Sequence, residues 1–263
     1  MRGLKKFSHK DREKVIKEMI PLIKNKFGKN LIALAAQASY ARNEDFGYSD
    51  LELIAFVRKM PKNKKWGGMG KIRDGMLVEL VWTTKEIYLE EVRDVTNDWY
   101  IAGSDKLLPV INKKFVENLN TYEVESLKEK CLNRAADRWN EVQEATAKIL
   151  NAITKGNKEG ISLLVFDMFL RMLIVLSFLN QIPYVTFSKF ISQAKKFRMK
   201  PESFDDLVDI MVHGKYQEFP HLKKVVINVF SEFEKIFEKL GFDLYYDNVD
   251  PNKPMKRFTC HIL

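Results

Sequence analysis

Cysteine is scarce in this chain, with two in 263 residues, Cys131 and Cys260. Their separation suggests neither a disulfide framework nor a zinc site, and it fits a reducing compartment. Histidine is equally sparse. His9, His213, His221 and His261 stand at no metal-ligand spacing. The N-terminus, Met1-Arg2-Gly3-Leu4-Lys5-Lys6, lacks the apolar stretch of a signal peptide. No internal repeat and no low-complexity segment interrupts the chain. One run, Ile161 to Leu179, is apolar enough to span a bilayer. It contains Asp167 and Arg171, four residues apart on one helical face. Each would cost a few kcal/mol at a bilayer centre, so the expectation is a buried helix in a soluble, cytoplasmic protein away from any membrane.

What is present reads as globular: 46% apolar residues, 30% charged residues and a formal net charge of +9. A positive balance concentrates phosphate-bearing partners, yet it is also the mark of an ordinary lysine-rich surface, which carries more weight. The length allows one large domain or two ordinary ones. Residues 10–27 have helical periodicity, with Val15, Ile16, Met19, Ile20, Leu22 and Ile23 on the apolar side. Leu31–Ala36, Leu51–Val57 and Met76–Trp82 are apolar runs of strand length, with Leu107–Ile111 a further short one. Residues 58–75, basic and Gly-rich, read as a mobile hairpin connection. Thr83 or Thr84 caps a helix to about Val95, and a helix follows near 113–119. From Glu123 to about Leu240 the pattern is helical, broken at Gly156-Asn157, Pro183, Pro201 and Gly214. The fold class is therefore α+β: a mixed β-sheet with flanking helices over residues 1–122, then a helical bundle over 123–263.

Chemistry points to the carboxylates. Asp50 and Glu52 sit at i and i+2 where a strand begins, so both face one side of a sheet. Glu79 interrupts the apolar run Leu77-Val78-Glu79-Leu80-Val81, a costly position without compensation. Three carboxylates on one face would suit Mg²⁺, a hard cation that favours oxygen. Two such ions can clamp both oxygens of an in-line phosphoryl displacement. Polar residues at strand starts are common, however, and the residues alone also allow a purely structural reading. Farther on, Glu141, Glu144 and Lys148 share a helical face opposite the stripe Leu132, Ala135, Trp139, Val142, Ile149 and Ile153. Such spacing more often marks a solvated face with a Glu–Lys pair.

The order of these residues resembles the nucleotidyltransferase superfamily. That family carries Gly-Ser, ten residues, then Asp-x-Asp or Asp-x-Glu, with a third carboxylate on a later strand. Here Ala38-Ser39 is followed by ten residues and Asp50-Leu51-Glu52, with Glu79 beyond. The stretches Ser39–Arg42, Gly47–Glu52, Val78–Leu80, Asp98-Trp99 and Leu108–Val110 are similar to the kanamycin nucleotidyltransferase branch. So are Asn140–Lys148 and Tyr184–Thr186, and the likeness spans roughly residues 12–245. The resemblance implies Asp50, Glu52 and Glu79 as ligands of Mg²⁺, with two ions expected. It implies Glu144 as general base, and Ser39, Arg42, Lys148 and Thr186 as contacts of ATP or another NTP. Glu141 and Asp98 would contact the acceptor.

The implied activity is transfer of a nucleoside monophosphate, AMP from ATP, to a hydroxyl of a small molecule. By family the acceptor is an aminoglycoside-type antibiotic, the protein confers antibiotic resistance, and it works as a homodimer. Alternatives are transfer to RNA or protein, as in toxin–antitoxin enzymes, and a degenerate nucleotide-binding domain without activity. Two departures stand out. Ala38 replaces the motif glycine, which would strain any positive φ there. The connection between strands two and three is Lys-rich where aminoglycoside enzymes carry acids.

Overall fold

Ser8 starts the first helix, α1 (His9–Phe27), as a capping box: its hydroxyl accepts from the Asp11 amide, and its own amide donates to the Asp11 carboxylate. Gly28 ends it. Its buried face is Arg12, Ile16, Met19 and Ile23, while Leu22, read as part of the apolar side, is exposed. The computed structural model describes residues 1–95 and 106–244. Over these residues contacts divide the chain into two units, the first ending at Glu125 and the second beginning at Ser126.

In the first unit five strands form one mixed sheet: β1 (Leu31–Ala36), β2 (Leu51–Val57), β3 (Gly67–Arg73), β4 (Met76–Thr83) and β5 (Leu108–Ile111). Their order is β3-β4-β2-β1-β5. Strands β2 and β4 run parallel, and the other neighbours run antiparallel. Alternation sends Leu34, Ala36, Leu51, Leu53, Val78 and Leu80 to one face, against Ile16, Met19 and Ile23 of α1. Ala33, Ala35, Ile54, Phe56 and Val81 face the other way, toward Tyr88 and Leu89 of α3 (Lys85–Asp94) and Val116 of α4 (Lys113–Asn120). Thr84 caps α3 by accepting from the Ile87 amide.

The segment 58–75 departs from expectation. Its second half is not a connection but the edge strand β3. Asp74 and Gly75 turn it into β4 with φ of 49° and 98°. An Asp-Gly pair at positive φ is the signature of a tight hairpin turn, and that dipeptide is the signal in the sequence. Three glycines on the strand masked it. Gly67 is required there, since a Cβ would lie 2.2 Å from the Trp82 ring. Three basic side chains of the segment have partners. Arg73 pairs with Glu18 of α1, Lys65 Nζ lies 3.1 Å from Glu90, and Arg58 Nε donates to the Lys29 carbonyl.

The second unit is helical among its described residues: α5 (Leu127–Thr154), α6 (Ile161–Asn180), α7 (Phe190–Ala194), α8 (Phe204–His213) and α9 (Phe219–Lys239). Trp139 of α5 packs on Phe230, Phe233 and Phe237 of α9. Helix α6 is long and apolar enough to cross a membrane by length and composition, yet over half of it (56%) is buried within the protein. Asp167 and Arg171 on it are paired at 2.9 Å. Burial pushes the Cys131 thiol up to about 12 and keeps it protonated.

Candidate active site

Glu52 and Glu79 are direct partners across the parallel β2–β4 pair. Glu52 is in phase with Ile54 and Phe56, and Glu79 with Val81, so both carboxylates belong to the α3/α4 face. Asp50 stands one residue before β2, and all three side chains are half-buried. On the edge, Gly70 is the partner of Glu79, and a Cβ there would lie 3.5 Å from Glu79 Oε1. The glycine leaves that side of the carboxylate open. Among the described residues no three His, Cys, Asp or Glu side chains are gathered closely enough to hold a metal ion. The donor set is all oxygen and fits Mg²⁺ in kind.

Between β1 and β2 lies the loop that carries the Ser39 motif. Its ends are joined by a hydrogen bond from the Gln37 amide to the Glu52 carbonyl, 3.1 Å. Ser39 sits in the single turn α2 (Ala38–Ala41), and its carbonyl accepts from the Glu44 amide at 2.9 Å. Arg42 Nε lies 3.2 Å from Glu44 Oε2. Ala38 has φ +54°, so the residue that stands where the resembled motif has glycine is in the left-handed region. Ala38→Gly should therefore stabilise the first unit by about 1 kcal/mol, read from the urea midpoint. A lowered midpoint would mean that the alanine methyl packs usefully.

Sequence reasoning missed three residues that hold this loop. Arg12 is fully buried and pairs with buried Asp45 at 2.9 Å. His9 Nδ1 lies 2.6 Å from the other Asp45 oxygen, and its ring stacks on Tyr40 at 4.3 Å. A signal existed: Arg12 is in phase with Ile16, Met19 and Ile23, a charge on the buried face of an amphipathic helix.

In the helical unit, Lys148 Nζ donates to Glu144 Oε1 at 2.8 Å, and both side chains are at least half exposed. The bond and charge of Lys148 hold the Glu144 carboxyl below its ordinary value, with Arg171 adding to the effect. Glu141 is drawn elsewhere. Arg138 and Arg171 bracket it, Arg171 at 2.7 Å. Glu141, Glu144 and Lys148 lie on one continuous helix, and Arg171 acts on both carboxylates.

The amino-acid pattern of this unit has a counterpart. Residues 133–243 match the KNTase C-terminal domain. Over 89% of its length the chain is also 20% identical to "Aminoglycoside nucleotidyltransferase (4')" of Staphylococcus aureus, covering 93% of that protein. The same figures hold for the enzyme of that name from a Bacillus species. A nucleotidyltransferase-like protein from Exiguobacterium sibiricum 255-15 superposes with a TM-score of 0.49 at 8% identity, over 85% of this chain and 75% of that one. The family and the two curated relatives bear out the resemblance to the kanamycin branch and the reading of the chain as a nucleotidyltransferase-type enzyme.

Within the helical unit, Tyr184 is a buried core residue. Its hydroxyl donates to the Leu173 carbonyl at 2.9 Å and its ring stacks on Phe190. Burial pushes its phenol upward. Thr186 is half-buried beside it and leads into the 3-10 turn Phe187–Lys189. Asp98, the other expected acceptor contact, lies outside the described residues, as do Trp99 and Cys260.

Proposed function

We propose that the protein transfers a nucleoside monophosphate, AMP from ATP, to a hydroxyl of an aminoglycoside-type acceptor with release of pyrophosphate. The observation that carries the proposal is Glu52 beside Glu79 on one sheet face, with Asp50 leading in and the Ser39 turn at the end of the neighbouring strand β1. Like charges directly opposed on neighbouring strands are unfavourable. A bound cation turns that cost into a ligand set. In this reading Asp50, Glu52 and Glu79 hold Mg²⁺, which supplies Lewis-acid stabilisation of the phosphoryl oxygens. Ser39 and Arg42 bind the nucleotide. Lys148 and Thr186 add nucleotide contacts, and Glu144 takes the proton from the acceptor hydroxyl. Glu141 orients a cationic acceptor. Resistance to the antibiotic follows from the same reading, supported by the names of the curated relatives, and a homodimer is part of the same proposal.

Two cations of the Lys-rich segment are turned away from the carboxylates. Lys71 and Arg73 are in phase with Met69, on the α1 face, opposite the carboxylates. What β3 offers on the carboxylate face is Gly68, Gly70 and Ile72, with no cation among them. The test is Mg²⁺-dependent pyrophosphate release from each NTP in the presence of kanamycin, of labelled RNA or of labelled protein. Release with kanamycin alone supports the proposal. Label on RNA or protein replaces the acceptor, and no release with any of them sinks the transfer reading.

The charge state of Glu144 gives a pH prediction. A general base must be ionised, so activity is lost as pH falls through its folded pKa. Lys148 holds that pKa down, which keeps the base ionised to lower pH. Lys148→Gln should shift the acid limb of the kcat/KM profile toward higher pH, apart from any loss of nucleotide affinity. An acid limb that stays in place would remove Glu144 from the role of base.

A further inference from the structure

Arg12 satisfies all five of its N–H donors within the first unit. Nε and Nη2 donate to the Ser49 carbonyl at 3.2 and 2.5 Å, Nη2 also to the Phe46 carbonyl at 2.7 Å, and Nη1 to the Phe7 carbonyl at 3.1 Å and to Asp45 at 2.9 Å. Ser49 immediately precedes Asp50. The arginine therefore grips the backbone one residue before the first candidate metal ligand. At the other end of the loop, His9 stacks on Tyr40, the neighbour of Ser39, and is bonded to the same Asp45. One buried acid thus joins the two ends of the Ser39–Asp50 segment through two side chains of helix α1. The segment that enters α1 adds a third grip, with the Phe7 amide donating to the Gly47 carbonyl at 2.8 Å.

We propose that Arg12, with Asp45 and His9, is a positioning device for the proposed transfer reaction, fixing Asp50 and Ser39 relative to each other before substrate arrives. The inference rests on the functional reading above. A planar fork with five fixed donors can hold three carbonyls and a carboxylate at once; the ammonium of a lysine has three donors and no fixed plane. A hinge of this kind acts through geometry, and displacement of a reacting group by about 1 Å can cost a hundredfold in rate.

The experiment compares wild type, Arg12→Lys, His9→Ala and, as a packing control in the same helix, Ile23→Ala. Kinetics of pyrophosphate release from ATP with kanamycin are measured over a Mg²⁺ series below the melting range. Amide hydrogen exchange of peptides covering 39–50 is followed in parallel. Positioning requires that Arg12→Lys lower kcat about tenfold to a hundredfold, raise the Mg²⁺ midpoint several-fold and release protection across 39–50. His9→Ala should do the same more weakly, while Ile23→Ala lowers the melting temperature with the Mg²⁺ midpoint unmoved. If Arg12→Lys merely melts earlier, with kcat, Mg²⁺ midpoint and loop protection kept, the device is only structural and the proposal falls. Should wild type release no pyrophosphate, the transfer reading fails by itself. Exchange then still decides whether Arg12 orders the loop: unchanged protection of 39–50 in Arg12→Lys overturns that too.

Discussion

Glu79→Gln is expected to cut Mg²⁺-dependent pyrophosphate release at least about a hundredfold, the scale of the several kcal/mol a metal supplies to phosphoryl transfer. The same substitution should raise the melting temperature of the metal-free protein. Glu79 faces Glu52 across the parallel strands, and relief of a like-charge pair on a sheet is worth about 0.2–1 kcal/mol. In a protein of this size that is about one to three degrees. Added Mg²⁺ should stabilise wild type and leave the variant nearly unchanged, because a ligand stabilises only a state that binds it. Calorimetry with and without Mg²⁺ checks the second half, and the transfer assay the first. A variant that loses both activity and metal-free stability would make Glu79 a structural carboxylate.

The second large effect concerns Asp45. Its substitution by alanine leaves the Arg12 guanidinium fully buried without its carboxylate. Breaking a buried pair from one side costs about 3–5 kcal/mol, far more than loss of a surface pair. Urea unfolding followed by tryptophan fluorescence is the measurement, since Trp66 and Trp82 pack against the two cores of this unit. A loss under about 1 kcal/mol, the range of exposed pairs, would contradict the burial of this pair. The His9–Asp45 contact would then also be expendable.

The fold was legible where hydrophobic periodicity is long or uninterrupted. Helix α1, strands β1, β2 and β4 and the long helices follow the apolar pattern because burial dictates it. Strand β3 was not, because an edge strand with three glycines buries little and shows no alternation. The carboxylates were legible as residue types at a spacing. That Glu52 and Glu79 are immediate neighbours depends on a parallel pairing, which no local pattern encodes. Arg12 escaped notice for the opposite reason. Its partners are mostly carbonyl oxygens, and backbone acceptors leave no mark in a sequence. Ala38 illustrates a third case: residue identity raised the question of strain, and only φ answered it.

Sheet order has a bearing on how the enzyme comes into being. The chain leaves β2, lays down β3 at the rim, and returns as β4 into the gap between them. The β3–β4 hairpin, closed by Asp74-Gly75, is local and forms on the microsecond scale. Its docking onto β2 is a separate, longer-range event that must close a larger loop. Only then do Glu52 and Glu79 meet. Chains arrested before that step would carry helices and a hairpin yet keep Glu52 and Glu79 apart, so with the proposed metal site Mg²⁺ would act as a late sensor of sheet completion during refolding.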